Sequence, residues 1–228
     1  MVIAIPDVLD PRRVAAIRAA LDEAGDAWVD GRVTAGHQGA HVKRNLQIDE
    51  TSAVARTEGD AVVAALERNP LFISAALPHR VYPPMFNRYE HGMQFGTHVD
   101  GAIRLVPGSG AKLRTDLSAT LFLTDPADYD GGELVIEDTH GAHTVKLPAG
   151  HMIVYPADSR HQITPVSRGA RIACFFWVQS LVRDGAQRRM LFDLDTAIQQ
   201  LTATGADESA RVRLVGCYHN LLRMWADT

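Results

Sequence analysis

Four side chains in this sequence have types and spacing that could do chemistry together. Thr97-His98-Val99-Asp100 reads as a strand, and a strand turns alternate side chains to one face, so His98 and Asp100 point the same way. An imidazole beside a carboxylate is two-thirds of a facial metal site. His161, in Ser159-Arg160-His161-Gln162-Ile163, is the candidate third ligand. Two His and one Asp form the donor set of non-haem Fe(II) sites, which keep open positions for substrate and oxygen. Arg171 follows ten residues after His161, at the head of an apolar strand.

The spacing from His161 to Arg171 can be tested by parity. With Ser167-Arg168-Gly169 as a three-residue hairpin loop and Gly169 left-handed, Val166 pairs with Ala170 and His161 opposes Phe175. His161 and Arg171 then share a face, about four residues apart along the ladder, or ~13 Å at ~3.3 Å per residue. A metal, a five-carbon diacid and an extended arginine fill such a gap. The planar guanidinium fork binds carboxylate bidentately. Ala170, Ile172, Ala173 and Phe175-Phe176-Trp177 make Arg171 a buried cation in search of a partner rather than an exposed strand residue. The constellation reads as a site for Fe(II) and 2-oxoglutarate. His140, His143 and His151 are the rival ligands, but they sit at Gly- and Pro-rich turns and read as solvated hairpin residues. A cupin-like site would call for a His-x-His pair, which the sequence lacks. Asp158 reads as a loop cap, with support of an imidazole as its other use.

The elements that must position these residues follow from periodicity and breakers. Asp10-Pro11 opens a helix with the apolar stripe Val14, Ile17, Leu21 and Ala24, which Gly25 ends. Residues 26–48 lack clear periodicity and are expected to be strand and loop. A second helix is predicted from Thr51 to Arg68, stopped by Asn69-Pro70, with a short helical piece over Leu71–Ala76. From His79 the pattern changes to about eight strands: 80–89, 95–100, 113–124, 133–137, 143–147, 151–155, 161–166 and 171–178. Such a run suggests an antiparallel double-sheet jelly roll, with a ligand site in its mouth. After Val182 two stripes return, Leu191, Leu194, Ile198, Leu201 and then Leu214, Tyr218, Leu221, Leu222, Trp225, separated by Thr204-Gly205-Ala206-Asp207. They predict a helical hairpin. The fold expected is therefore α+β, divided as 1–78 helical and strand support, 79–180 jelly-roll core and 181–228 helical extension.

Composition bounds the rest. The 228 residues are 46% apolar, enough for one large domain with a sizeable core. A net charge of −4 does not favour nucleic acid or an anionic membrane surface. No basic, apolar leader opens the chain and no stretch approaches the ~20 apolar residues of a membrane span. Cys174 and Cys217 form no spaced framework and are expected to be free, buried thiols of a cytoplasmic protein. Arg104, Lys112 and Arg114 could attract an anion, but read as a solvated loop. The apolar stripes of the terminal helices exceed what one barrel face must cover, so a homo-oligomer through them is an expected use, beside packing on their own barrel.

These residues resemble a known family. His98-Val99-Asp100, the distal His161 and Arg171 ten residues on are similar to the Fe(II)/2-oxoglutarate dioxygenases of the prolyl-4-hydroxylase type. Phe86-Asn87-Arg88-Tyr89, Tyr129-Asp130-Gly131-Gly132-Glu133-Leu134, Tyr155 to His161 and Ile172 to Ser180 resemble the bacterial PKHD-type hydroxylases in particular. The resemblance covers nearly the whole chain. It implies a double-stranded β-helix, Fe(2+), 2-oxoglutarate, O2 and L-ascorbate as reductant. It implies that His98, Asp100 and His161 bind iron and that Arg171 holds the distal carboxylate of 2-oxoglutarate. Tyr89 matches a co-substrate tyrosine only after a one-residue gap, and a core aromatic is its other reading. The implied reaction couples oxidative decarboxylation of 2-oxoglutarate, to succinate and CO2, with hydroxylation of a small-molecule or peptidyl substrate. A link to iron homeostasis comes with it. A non-catalytic iron- and 2-oxoglutarate-binding sensor on the same fold is the alternative.

Overall fold

Two antiparallel sheets face one another, and strict alternation along their strands decides which side chains reach the space between them. The computed structural model describes residues 1–138, 141–205 and 207–227. The larger sheet runs Ile3–Ile5, Met152–Pro156, Leu117–Phe122, Ala170–Ser180, Met85–Glu90, Leu46–Ile48, Trp28–Asp30, with Pro78–Val81 also paired to Ala170–Ser180. The smaller sheet runs Gly141–Val145, Leu134–Asp138, His161–Ile163, Gln94–His98, Lys43–Arg44. This is an α+β jelly roll, as expected. Segment 1–78 supplies edge strands to both sheets as well as helices.

Central strands are buried on both faces, so apolar residues occur at both parities. Leu117, Ala119, Leu121, Ile172, Cys174, Phe176 and Val178 form one cluster with Val14, Ile17, Leu21, Val62, Leu66 and Phe72 of the N-terminal helices. The opposite parity, Tyr89, Phe122, Ile153 and Tyr155, packs with Leu134, Ile136 and Ile163 of the smaller sheet. Each fully buried aliphatic here contributes roughly 1.5–3 kcal/mol. A side chain caps the start of three N-terminal helices, as expected for Asp10. Asp10 accepts from the Arg13 amide at 2.8 Å ahead of helix Pro11–Asp22, Ser52 from Ala55 at 3.2 Å ahead of Ala53–Leu66, and Asn69 from Phe72 at 2.9 Å ahead of Pro70–Ala76.

Several expectations change, each for a local reason. The strand expected over 80–89 is two, Pro78–Val81 and Met85–Glu90, because Pro83-Pro84 supplies no amide donors. That expected over 113–124 is also two. Lys112–Arg114 pairs with Ile103–Leu105 in a separate ribbon, while Leu117–Phe122 enters the large sheet. The irregular 26–48 segment contains a helix, His37–Val42. The strand carrying His98 ends at that residue, so Asp100 stands in the loop beyond it.

The expected hairpin between His161 and Arg171 does not form. His161–Ile163 pairs with Leu134–Asp138 and Gln94–His98, whereas Ala170–Ser180 lies between Leu117–Phe122 and Met85–Glu90 in the other sheet. Gly169 is left-handed, at φ +67, but it passes the chain between sheets instead of closing a turn. A Cβ there would lie 2.1 Å from the Asp128 carbonyl oxygen. Cys174 is buried, but Cys217 is exposed, on the outer side of helix Glu208–Trp225. His143 is exposed and pairs with Asp138 at 2.7 Å, and half-buried His151 lies 3.5 Å from Asp7. His140 falls outside the described residues.

Candidate active site

The smaller sheet and one loop bring His98, Asp100 and His161 to one point. His98 and His161 are direct partners across adjacent strands of the smaller sheet. Asp100 reaches back from the loop that follows His98. His98 Nε2 lies 3.8 Å from Asp100 Oδ1, and His161 Nε2 lies 3.7 Å from Asp100 Oδ2. The donor atoms of all three lie within 4.8 Å of one another. Two metal–ligand bonds of ~2.1 Å span up to ~4.2 Å, so these separations suit a shared ion.

Local hydrogen bonds aim the donors. His98 Nδ1 donates to the Gly96 carbonyl at 2.9 Å, and His161 Nδ1 donates to the Ser159 carbonyl at 3.0 Å. A carbonyl can only accept, so each ring carries its proton on Nδ1 and presents the Nε2 lone pair to the site. Ser118 Oγ donates to Asp100 Oδ2 at 2.6 Å, tying the loop carboxylate to the large sheet. Ser118 has the inward parity of its strand, while its neighbours Leu117 and Ala119 face the helices. Phe95 stacks on His98 with centroids 3.5 Å apart, and Tyr155 meets His161 edge-on at 5.1 Å. Burial, and then the neighbouring His161 ring, lower the His98 pKa to about 4. The imidazole is thus neutral, the form that binds metal.

Arg171 enters from the facing sheet and lines the same cavity of about 660 Å³. It is 0% exposed, yet no carboxylate partners it among the described residues. Its Nη1 reaches Asn87 Oδ1 at a long 3.5 Å, and its Nε and Nη2 are buried without partners. The guanidinium lies 5.5 Å from the Tyr89 centroid and 5.2 Å from that of Phe122. Burial, with Arg171 opposing it, pushes the Tyr89 phenol up, so it stays protonated. A buried cation with orphaned donors and an aromatic wall fits an incoming carboxylate. Gly132 makes room for it: at φ +67, a Cβ there would lie 3.1 Å from Arg171 Cδ and 2.9 Å from Val166 Cγ2.

The structure thus places His98, Asp100, His161, Arg171 and Tyr89 on one cavity. Sequence reasoning missed Ser118 and Asn87, which strand parity could have signalled, and Lys43, whose two-residue strand carries no period. It also read Arg104 as loop, whereas that residue lies on Ile103–Leu105 and lines the cavity. Arg114 is paired with Asp116 at 2.7 Å and is not free for an anion.

Known proteins share this architecture. Residues 84–179 match the 2OG-Fe(II) oxygenase superfamily, and residues 185–227 match the PKHD-type hydroxylase C-terminal domain. A PKHD-type hydroxylase of Paraburkholderia phymatum is 71% identical over 228 residues, covering 100% of both chains. A Pseudomonas putida prolyl-4-hydroxylase superposes with a TM-score of 0.53 at 20% identity, over 78% of this chain and 92% of that one. A prolyl hydroxylase from Trichoplax adhaerens, solved with a hypoxia inducible factor peptide fragment, gives 0.57 at 12% identity, over 83% and 86%. At such identities the two structures speak for the fold alone.

Proposed function

This chain belongs to the PKHD-type hydroxylases, within the 2OG-Fe(II) oxygenases, and from that premise we propose that it hydroxylates an organic substrate. In this reading His98, Asp100 and His161 hold Fe(2+), and Arg171 holds the distal carboxylate of 2-oxoglutarate. The observation that carries it is one cavity with a two-histidine, one-carboxylate cluster and an uncompensated buried arginine. When bound, the iron supplies oxygen activation coupled to decarboxylation of 2-oxoglutarate to succinate and CO2.

The chain's own residues supply position, charge and dryness. The Gly96 and Ser159 carbonyls fix the tautomer and rotation of the two imidazoles, and Ser118 fixes the carboxylate. Arg171 neutralises the far end of the co-substrate, with Tyr89 and Phe122 excluding water around the pair. Asp100 occupies the position that a small residue would leave open to a halide, so the reaction proposed is hydroxylation. Ascorbate as reductant and a setting in iron homeostasis belong to this proposal and rest on the family resemblance.

Titrating 2-oxoglutarate into the Fe(II)-loaded protein without oxygen, while following the metal-to-ligand charge-transfer band, tests the assignment. The band should appear in wild type and vanish, with the iron, in His161→Ala. Succinate release in excess of that without added substrate, across candidate substrates, separates catalysis from a sensor. No iron uptake by folded wild type would overturn the reading.

A further inference from the structure

Two further cations line the cavity without a carboxylate partner among the described residues. Lys43, on the edge strand Lys43–Arg44, is 4% exposed. Its Nζ donates to Gln47 Oε1 at 3.2 Å and Thr34 Oγ1 at 3.3 Å, both neutral, and lies 5.2 Å from the Phe95 centroid. Arg104 lays its guanidinium 4.1 Å over Trp177 and 5.2 Å from Tyr82, with its Nε buried and unpartnered. Among the described residues no carboxylate oxygen comes within 4.0 Å of either cation. The two carboxylates on the cavity wall are otherwise engaged: Glu50 accepts from the Tyr82 hydroxyl at 3.3 Å, and Asp100 from Ser118 at 2.6 Å. Neutral acceptors and ring faces only partly offset the cost of holding a buried cation.

The rim beside these cations is apolar and open. Val33, Ile103 and Leu105 are 71%, 56% and 63% exposed, and all three line the cavity. Arg171 lies deep, 0% exposed, and serves the co-substrate in the reading above. Lys43 and Arg104 line the same cavity as that rim, and Arg104 shares the strand Ile103–Leu105 with two of its three apolar residues.

We infer that the substrate is an amphiphilic anion, with an apolar body seated on Val33, Ile103 and Leu105 and a carboxylate or phosphate held by Lys43 and Arg104. The inference rests on the oxygenase assignment, which gives Arg171 to 2-oxoglutarate and leaves Lys43 and Arg104 to substrate. Lys43 and Arg104 are on this account the residues that select an anion over its neutral isostere, because an amide brings no charge to either cation.

The probes are 2-naphthoate, 2-naphthyl phosphate and neutral 2-naphthamide. Each is titrated calorimetrically, without oxygen, into the full-length protein holding Fe(II) and saturating 2-oxoglutarate. At least one anion should bind tenfold or more tightly than the amide, leaving the charge-transfer band in place. The tighter anion tells a carboxylate from a phosphate substrate. Lys43→Gln and Arg104→Gln should each remove most of the preference, while affinity for the amide and for 2-oxoglutarate moves less than twofold. Arg104 sits on a peripheral two-stranded ribbon, so Arg104→Gln reads the effect even if Lys43→Gln fails to fold. Equal binding of all three probes overturns the inference. So does an anion that displaces 2-oxoglutarate, which would put Lys43 and Arg104 in the co-substrate site. A wild type that gives no charge-transfer band overturns the oxygenase reading instead. The anion preference can then still be measured on the metal-free protein.

Discussion

Arg171 is a buried guanidinium with no carboxylate opposite it among the described residues, and that imbalance gives the sharpest prediction at the scale of single residues. Truncating one partner of a buried charge pair typically costs ~3–4 kcal/mol, or about two to three decades in affinity. Arg171→Ala should therefore raise the 2-oxoglutarate requirement by that factor and leave iron affinity nearly unchanged. Anaerobic titration of both ligands checks it, and equal 2-oxoglutarate affinities would mean that another group holds the distal carboxylate. His98 gives a prediction with a pH window. Burial and the adjacent His161 ring lower its pKa from 6.5 to about 4 in the metal-free protein. The unfolded chain takes up this proton near ~6.5, so between there and about 4 the unfolded state binds more protons, and stability falls as pH falls. Above that window neither state is protonated and the contribution is flat. Urea midpoints of metal-free wild type should drop on acidification through this range, more steeply than those of His98→Gln. Parallel curves would remove His98 as the cause.

At the scale of elements, the Tyr129-Asp130-Gly131-Gly132 turn is what lets the arginine reach across. Gly132 is left-handed at φ +67, and a Cβ on it would lie 3.0 Å from the Tyr129 ring and 3.1 Å from Arg171 Cδ. Gly132→Ala should cost about 1–3 kcal/mol of stability through the backbone alone. It should also weaken 2-oxoglutarate binding by tenfold or more by displacing Arg171, with iron affinity little altered. A melt and a ligand titration on the same variant separate the two effects, and unchanged 2-oxoglutarate affinity would clear the turn of any part in the site. What the sequence made legible at this scale was local. Asp10-Pro11 announces its helix, Asn69-Pro70 marks the break after the second one, and alternation along Ala170–Ser180 sends Arg171 and Phe175 to one face and Cys174 and Phe176 to the other. Donor types made the gathering of His98, Asp100 and His161 legible as well. Strand partners were not legible, because pairing is set by long-range packing. Sequential strands joined by Ser167-Arg168-Gly169 look like a hairpin, yet the chain there crosses from one sheet to the other. Lys43 was invisible for a related reason, since its burial comes from residues at 34, 47 and 95 closing around it.

At the scale of the molecule, the C-terminal hairpin Gly185–Ala203 and Glu208–Trp225 packs half-buried Tyr218, Leu221, Leu222 and Trp225 against Leu77, Val182 and Leu191. Met190, Val212 and Met224 stay outside at 54%, 63% and 72% exposure. A homo-oligomer through this hairpin is carried forward as a proposal, and a monomer in light scattering at micromolar concentration would end it. No helix among the described residues is long and apolar enough to cross a membrane. The site itself ties the molecule together. Two of its metal-binding candidates lie on the smaller sheet, Asp100 is fastened to the larger sheet through Ser118, and Arg171 belongs to the larger sheet. Ligands that need both sheets in place bind only the folded chain, and each stabilises it by roughly 2.7 kcal/mol when present at a hundred times its Kd. For a domain of this size, each kcal/mol moves Tm by about 2–4 °C. Fe(II) and 2-oxoglutarate added together under nitrogen should therefore raise Tm by about 10–20 °C over the chelator-treated protein. Arg171→Ala should keep the increment due to iron and lose most of that due to 2-oxoglutarate, whereas His161→Ala should lose both. Scanning calorimetry of the three proteins decides it. A 2-oxoglutarate increment that survives in Arg171→Ala would show that the diacid bridges the sheets through other groups, and one that survives without iron would uncouple its binding from the metal.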